Sequence, residues 1–237
     1  MTKLTKNLIL WAVLLCAPAA FAGTFSTPSG STAGGQPVDA SATFTAGAGT
    51  LDITIFNNQA NPTSVIQNVS DLFFSLSGVT SGTLASSSGN EIFVAANGTT
   101  SAGGSGVSTG WVLSISSGVF HLDGLNTAAD VPAHTIIGAP DGSGVYSNAN
   151  NSITDNGPHN PFLESGATFT ITDAAITADI SVSGVIFSFG TQSGTNIPST
   201  PDSGSTLMLL GLGLATCELS RRSLNNRLAV AKIARRS

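Results

Sequence analysis

The segment Ala167-Thr-Phe-Thr-Ile-Thr172 alternates apolar and polar side chains, and Leu51-Asp-Ile-Thr-Ile-Phe56 does the same much earlier in the chain. Successive side chains of a β-strand point to opposite faces of its sheet. An alternation with a period of two therefore predicts strands that bury one face. The two segments therefore predict two β-strands of the domain.

Short runs of the same kind recur along most of the chain, separated by Gly, Ser, Asn and Pro, with no helix-period segment of useful length between them. Many short strands with this spacing predict an all-β fold: an antiparallel β-sandwich or a jelly-roll-like single domain. Two Gly/Ser-rich stretches, Ser86–Asn90 and Asn97–Gly106, are expected to be flexible loops. The remaining predicted strands are Ala42–Ala46, Ser64–Val69, Leu72–Leu76, the runs at Leu84 and Ile92–Val94, Trp111–Ile115, Val119–Leu122, Thr135–Ile137 and Ile180–Phe189.

Residues 1–22 have the three parts of a secretory signal peptide. Lys3 and Lys6 form the charged region, Leu8–Leu15 form the apolar core, and Ala20-Phe21-Ala22 is an A-x-A cleavage motif. Cleavage by signal peptidase is expected before Gly23.

The C-terminal part combines a turn, a short apolar run and a basic end. Pro201 and Gly204 make Pro-Asp-Ser-Gly a turn signal, and residues 205–220 form an apolar run with one acid. Arg221 and Arg222 follow, as cationic residues do on the cytoplasmic side of a membrane span. A span needs about 20 apolar residues, so this run predicts a short transmembrane-like helix, and a buried C-terminal helix is the alternative.

This tail resembles the PEP-CTERM class of bacterial sorting signals, in the variant written Val-Pro-Asp-Ser-Gly. The matching positions are Pro201, Asp202, Ser203 and Gly204, then the apolar run, then Arg221-Arg222. The resemblance implies recognition by an exosortase, a membrane cysteine transpeptidase, and contact with the membrane before processing. It also implies delivery to the cell envelope, cell surface or extracellular matrix of a bacterium with two membranes.

The sequence accordingly divides into six segments. They are the signal peptide (1–22), a flexible lead-in (23–40), the β-domain (41–196), the linker and sorting motif (197–204), the apolar helix (205–220) and a basic tail (221–237).

Charge is distributed unevenly between these segments. All eight Lys and Arg lie at the two ends, whereas eleven of the thirteen acids lie from Asp39 to Asp179, so the part between the ends (residues 23–196) has a formal charge of −11. We do not expect the domain to bind nucleic acid, since phosphate contact depends on Lys and Arg. Cys16 and Cys217 also lie outside the domain, which therefore contains no disulfide.

All three histidines fall in or beside an irregular stretch rich in Gly, Pro, Asn and Asp, where functional loops tend to occur. Their spacings match no zinc motif, so we expect satisfied or solvent-facing side chains, and the metal ligands stay unassigned. The histidines are His121, His134 and His159, and the acids near them in sequence are Asp123, Asp130, Asp141 and Asp155.

Asp141-Gly-Ser-Gly-Val-Tyr-Ser-Asn148 has some features of a calcium loop. An EF-hand loop would need an acid at its closing position, where this chain has Ser152. A plain turn is the expectation, with no cofactor. A structural calcium ion elsewhere stays open, because the acidic domain must limit carboxylate repulsion.

Two binding alternatives are considered. Trp111 or Tyr146 could stack on a sugar ring in a carbohydrate-binding module, although Trp111 lies in a strand-like run that favours core packing. A flat threonine array at Thr168, Thr170 and Thr172 could adhere to ice or another surface, although exposed threonine is ordinary in strands.

A secreted hydrolase is the third alternative. The chain has no Gly-x-Ser-x-Gly elbow, and nothing in the sequence links Glu91 with Glu164 as a carboxylate pair. No catalytic residue is assigned. The expected function is that of an exported, exosortase-sorted surface or matrix protein with a structural or adhesive role, with exopolysaccharide as a candidate partner.

Overall fold

The computed structural model describes residues 21–125, 132–192 and 194–202. The chain divides into two compact units, Met1–Thr200 and Pro201–Ser237, and of the second unit only Pro201 and Asp202 are described. The predictions for residues 1–20, for Ser203 and Gly204, for the apolar run at 205–220 and for Arg221 and Arg222 fall outside the described residues.

The described part of the chain is all-β, which confirms that prediction. Its helical segments are two short 3-10 turns, Val65–Gln67 and Gly157–His159. The strands are β1 Ala22–Ser26, β2 Thr32–Ala33, β3 Gln36–Pro37, β4 Ala40–Ala46, β5 Thr50–Asn57, β6 Val69–Leu76, β7 Thr83–Val94, β8 Thr100–Ala102, β9 Val112–Ser116, β10 Val119–Asp123, β11 Ile136–Ile137, β12 Phe162–Thr172, β13 Val182–Phe189, β14 Asn196–Pro198 and β15 Thr200–Pro201.

Most strands belong to one large sheet with two arms. One arm has the order β8-β7-β12-β5-β4-β1, and the other has the order β9-β10-β6-β13-β14. Strand β11 joins them, because Ile136 pairs with Val69 of β6 on one side and with Leu163 of β12 on the other. The β11–β12 pair is parallel, so the sheet is mixed and the expectation of a purely antiparallel sheet is corrected at this pair.

The two arms share one hydrophobic core. The ring of Phe44 in β4 meets the ring of Phe74 in β6 edge-on, with centroids 5.2 Å apart. Phe74 also stacks on Phe120 of β10 at 5.2 Å, and Trp111 contacts Phe169 of β12 at the same distance. Burying a large apolar side chain is worth roughly 1.5–3 kcal/mol, so these rings bind the arms to each other.

Strands β5 and β12 are neighbours in the sheet, and each has one buried face as the alternation predicts. Phe169 lies opposite Ile53, and both side chains are fully buried. The threonines of β12 lie on the other face, where the hydroxyl of Thr170 donates to the Asp52 carboxylate at 2.7 Å. Thr168 is exposed and its hydroxyl donates to the carbonyl oxygen of Ser88 at 3.4 Å.

The segment expected to be a flexible lead-in holds three strands. β1 pairs with β4 in a continuous antiparallel register from Ala22↔Thr45 to Ser26↔Ser41. The side chain of Phe25 is 7% exposed and meets Phe44 edge-on at 5.6 Å. Phe25, the buried side chains of Ala33 and Val38 and the backbone ladder order a segment whose Gly/Ser/Thr composition predicts a loop.

Other stretches predicted as loops or linkers are also extended. Residues 86–90 lie inside β7, where Ser88 pairs with Thr168 of β12. Gly89 leaves room for Leu163, whose Cδ2 would be 2.9 Å from a Cβ at that position. The stretch 97–106 includes β8, and the linker includes β14. Because ladder bonds use backbone groups, polar side chains do not prevent these strands from forming.

Candidate metal centre

Strands β6 and β10 carry a polar cluster on the face opposite the core. Their alternation sends one set of side chains, including Phe74 and Phe120, into the core. The register sets Asp71 opposite Asp123 and Phe73 opposite His121. These four side chains therefore lie together on the outer face of two neighbouring strands.

The imidazole of His121 lies between the two carboxylates. Its Nε2 is 3.3 Å from Oδ1 of Asp71, and its Nδ1 is 3.9 Å from Oδ2 of Asp123. The ring of Phe73 stacks on the imidazole with centroids 3.8 Å apart and planes 12° from parallel. The His121 side chain is 23% exposed, whereas the Asp71 and Asp123 side chains are 5% and 10% exposed.

Each carboxylate is held by a neighbour through its other oxygen. Oδ2 of Asp71 accepts a hydrogen bond from the Ser70 hydroxyl at 3.0 Å. Oδ1 of Asp123 accepts one from the backbone N–H of Leu125 at 2.8 Å. One oxygen of each carboxylate is thus fixed, and the second faces the imidazole.

The electrostatics of the cluster are unfavourable for two ionised acids. Burial is the main cause that raises the pKa of Asp123 above its usual value, and a hydrogen bond with Asp71 raises it further. The Leu125 N–H and the charge of His121 act in the opposite direction. Since no Lys or Arg lies between Lys6 and Arg221, no such side chain of the domain compensates the pair.

A cavity of about 590 Å³ opens beside the cluster. The three titratable groups line it together with Ser188 of β13 and Asn196 of β14. The Ser188 hydroxyl donates to the side-chain carbonyl oxygen of Asn196. The cluster is therefore open to small ligands from a solvent-connected space with a mixed polar and apolar lining.

One ligand atom from each of Asp71, His121 and Asp123 lies within 4.8 Å of the others. One imidazole nitrogen with two carboxylate oxygens is a donor set that divalent transition metals such as Zn²⁺ accept. Ca²⁺ and Mg²⁺ take oxygen ligands instead. The donor atoms of this cluster are therefore suited to holding a small cation.

His134 has a different environment. Its Nδ1 is 3.0 Å from the carbonyl oxygen of Thr109, and its Nε2 is 3.0 Å from a carboxylate oxygen of Glu91. Its own carbonyl accepts from the Trp111 indole N–H at 2.9 Å, and the other Glu91 oxygen accepts from Gly104 N–H at 2.7 Å. His134 and Glu91 therefore join the segment before β11, strand β7 and the connection between β8 and β9, and Glu91 has a partner other than Glu164.

His159 and the acids near it are also engaged locally. Nδ1 of His159 is 2.6 Å from the carbonyl oxygen of Ser152. Asp141 accepts from the N–H groups of Ser143 and Val145 and from the Ser147 hydroxyl at 2.6 Å, and these bonds lower its pKa. This is the geometry of a turn. Asp155 lies in another turn, and Asp130 is outside the described residues.

The two aromatic side chains considered for sugar stacking are buried. Trp111 is 4% exposed and Tyr146 is 1% exposed. The Tyr146 hydroxyl donates to the carbonyl oxygen of Gly138 at 2.8 Å. Trp111 packs in the core as its sequence position favours, and neither ring is presented to a ligand.

The sequence singled out His121 and Asp123 but missed Asp71. Fifty residues separate Asp71 from its imidazole partner, so no local motif contains both. The available signal was an acid inside the apolar run of Val69–Leu76, where an ionised side chain needs a partner. Only the β6–β10 register shows which partner it has.

The residues of the processing prediction are described only in part. Ala22 and Gly23 lie in β1, and Pro201 and Asp202 are exposed. Across residues 21–125, 132–192 and 194–202, no helix is long and apolar enough to cross a membrane. Comparison with family models, with curated proteins and with solved structures finds no match.

Proposed function

We propose that the chain is an exported protein of the bacterial surface or extracellular matrix, sorted by an exosortase and structural or adhesive in role. The observation that carries the proposal is the confinement of every Lys and Arg to the two ends. An apolar N-terminal segment with a cleavage motif and a turn–apolar–basic tail flank a domain without either residue. Terminal segments of this kind direct export and sorting, and the domain between them is the cargo, the part that is delivered.

We further infer that the cargo domain is a β-sandwich with jelly-roll-like character. The two arms of the sheet would form its layers, since Phe44 of one arm contacts Phe74 of the other. Aromatic contacts between facing sheets are the usual core of this architecture.

A structural or adhesive role suits the way the domain is held together. Long backbone ladders and two buried apolar clusters stabilise it, and it has no disulfide to reduce. The carbohydrate-binding alternative loses its two candidate rings, since Trp111 and Tyr146 are buried. In the described cluster the Ser70 hydroxyl donates to Asp71, and no hydroxyl is hydrogen-bonded to His121. The hydrolase alternative therefore has no serine–histidine pair there to support it.

Processing can be measured directly in a bacterium that encodes an exosortase. We expect the surface fraction to contain a form that starts at Gly23 and ends near the sorting motif. Deleting the exosortase gene, or the change Asp202→Ala, should leave an unprocessed tail in the membrane fraction. A surface form whose intact mass includes Ser237 would contradict exosortase processing.

The structural role has its own measurement. Deleting the gene should weaken the cohesion of the extracellular matrix, and the purified domain should restore it. If the deletion strain keeps the matrix cohesion of the wild type, the structural role is overturned, whereas the sorting proposal is unaffected.

A further inference from the structure

We propose that Asp71, His121 and Asp123 bind one divalent transition-metal ion, of the Zn²⁺ type, at the edge of the cavity between β10, β6 and β14. This inference concerns the domain alone. It does not depend on export or on sorting of the chain.

The ligand spacing suits a small ion. Ligand atoms about 2.0–2.2 Å from a tetrahedral Zn²⁺ lie roughly 3.3–3.6 Å from one another. The Nε2 atom of His121 and Oδ1 of Asp71 are already 3.3 Å apart. One ligand atom from each of the three residues falls within 4.8 Å of the others, so small side-chain rotations bring the set together.

The burial of two acids without a basic partner is an independent reason to expect a cation. Two carboxylates, 5% and 10% exposed, face each other across neighbouring strands, and the domain has no Lys or Arg. A buried charge is costly unless it is paired or coordinated to a metal. A bound dication would compensate the charge of both acids.

The surroundings resemble the support that metal ligands receive. Ser70 and the Leu125 N–H hold the far oxygen of each carboxylate, and outer hydrogen bonds of this kind orient ligands for a metal. Phe73 stacks flat on the imidazole and limits its rotation. The three side chains are therefore held close to one another before any ion arrives.

The cavity makes the site accessible and leaves it incomplete. Three protein ligands are one fewer than a closed structural zinc site has. The open position faces the space lined by Ser188 and Asn196, which has room for water or for an oxygen ligand from solution. A site of this kind is suited to binding an external oxygen-bearing group through the ion.

Calorimetry with Zn²⁺ on the chelator-treated protein tests the proposal. We expect one equivalent to bind to the wild type, and binding to be at least about tenfold weaker in Asp71→Asn, Asp123→Asn and His121→Gln. The matched controls Asp52→Asn, an exposed strand aspartate, and His159→Gln should bind as the wild type does. Circular dichroism on each variant reports whether it is folded.

A second measurement needs no variant. Titrating the wild type with Co²⁺ should displace the imidazole NMR signals of one histidine, His121, while the signals of His134 and His159 keep their positions. Failure to bind Zn²⁺ or Co²⁺ at millimolar concentration would overturn the proposal. So would displacement of the other histidines, wild-type affinity in His121→Gln, or a preference for Ca²⁺ over Zn²⁺.

Discussion

At the scale of single residues, buried polar side chains connect segments that are distant in sequence. The Asn57 amide, at the end of β5, donates to the carbonyl oxygens of Gln67 and Ile136, both at 2.9 Å. It thereby joins β5 to the segment before β6 and to β11, where the two arms of the sheet meet. Buried amides are retained when each of their groups finds a partner.

Among the glycines that the structure describes, Gly138 is the one at which a Cβ would lie nearest to another backbone atom. A Cβ there would lie 1.9 Å from the carbonyl oxygen of Gln59. We expect Gly138→Ala to lower the free energy of unfolding by about 1–3 kcal/mol, because the backbone must move to admit the methyl group. Gly142→Ala is the control, since a Cβ at Gly142 has no neighbour within 4 Å. Urea unfolding measures both, and equal stability of the two variants would contradict the close approach.

Tyr146 combines a buried ring with a single hydrogen bond. Tyr146→Phe keeps the ring and leaves the Gly138 carbonyl oxygen without this donor. Since a buried group that loses its partner costs about 1–3 kcal/mol, we expect a loss of that size in thermal unfolding. A variant as stable as the wild type would mean that water replaces the hydroxyl. Burial also raises the pKa of the phenol, so alkaline titration should ionise it only as the protein unfolds.

At the scale of elements, β1 is attached by its ladder to β4 and by one buried ring. Phe25→Ala should lower the free energy of unfolding by about 3–5 kcal/mol, as expected for deletion of a buried aromatic side chain. Phe56→Ala on β5 is the matched control, because that ring is 44% exposed. If the two variants lose the same small amount, residues 22–26 are not the strand described above.

The turn at Asp141 provides a prediction about pH. Hydrogen bonds from Ser147, Ser143 and Val145 lower the pKa of Asp141. The ionised Asp141 carboxylate therefore stabilises the folded state above the pKa of the unfolded chain, near 3.8. This stabilisation is lost as the pH falls through the lower pKa of the folded state. We expect Asp141→Asn to melt below the wild type at pH 6 and the difference to close towards pH 2.5. Ser147→Ala should show a smaller change with the same sign.

At the scale of the whole molecule, the charge between Asp39 and Asp179 has a single sign apart from histidine. Repulsion between the eleven acids opposes the compact state, and salt screens charges over about 10 Å at 0.1 M ionic strength. We therefore expect the melting temperature to rise as NaCl increases from 10 mM to 200 mM, as differential scanning fluorimetry can measure. A melting temperature that falls over this range would show that attraction dominates.

The sequence predicted the strands whose side chains alternate and missed those that do not. β5 and β12 were predictable because Ile53 and Phe169 mark a buried face. β1 and the middle of β7 were predicted as loops, since Ser, Thr and Gly dominate them. Their order comes from backbone bonds to β4 and β12, and no residue type reports the presence of such a partner.

Two of the three residues of the candidate site were predictable from the sequence. His121 and Asp123 are neighbours in sequence, and their residue types suggest metal chemistry. Asp71 joins them because β6 pairs with β10 in one particular register. A shift of that register by one residue would place Phe74 or Leu72 opposite His121 and would remove the acid from the cluster.

The sequence by itself determined the strand character of the domain, its acidity, its lack of disulfides and the pattern of its two ends, because these follow from residue type and local spacing. Only the tertiary structure decided the strand order, the burial of Trp111 and Tyr146, and the meeting of Asp71 with His121. Those features depend on contacts between residues far apart in the chain. Such contacts are selected by the packing of the whole core, which no short stretch of sequence contains.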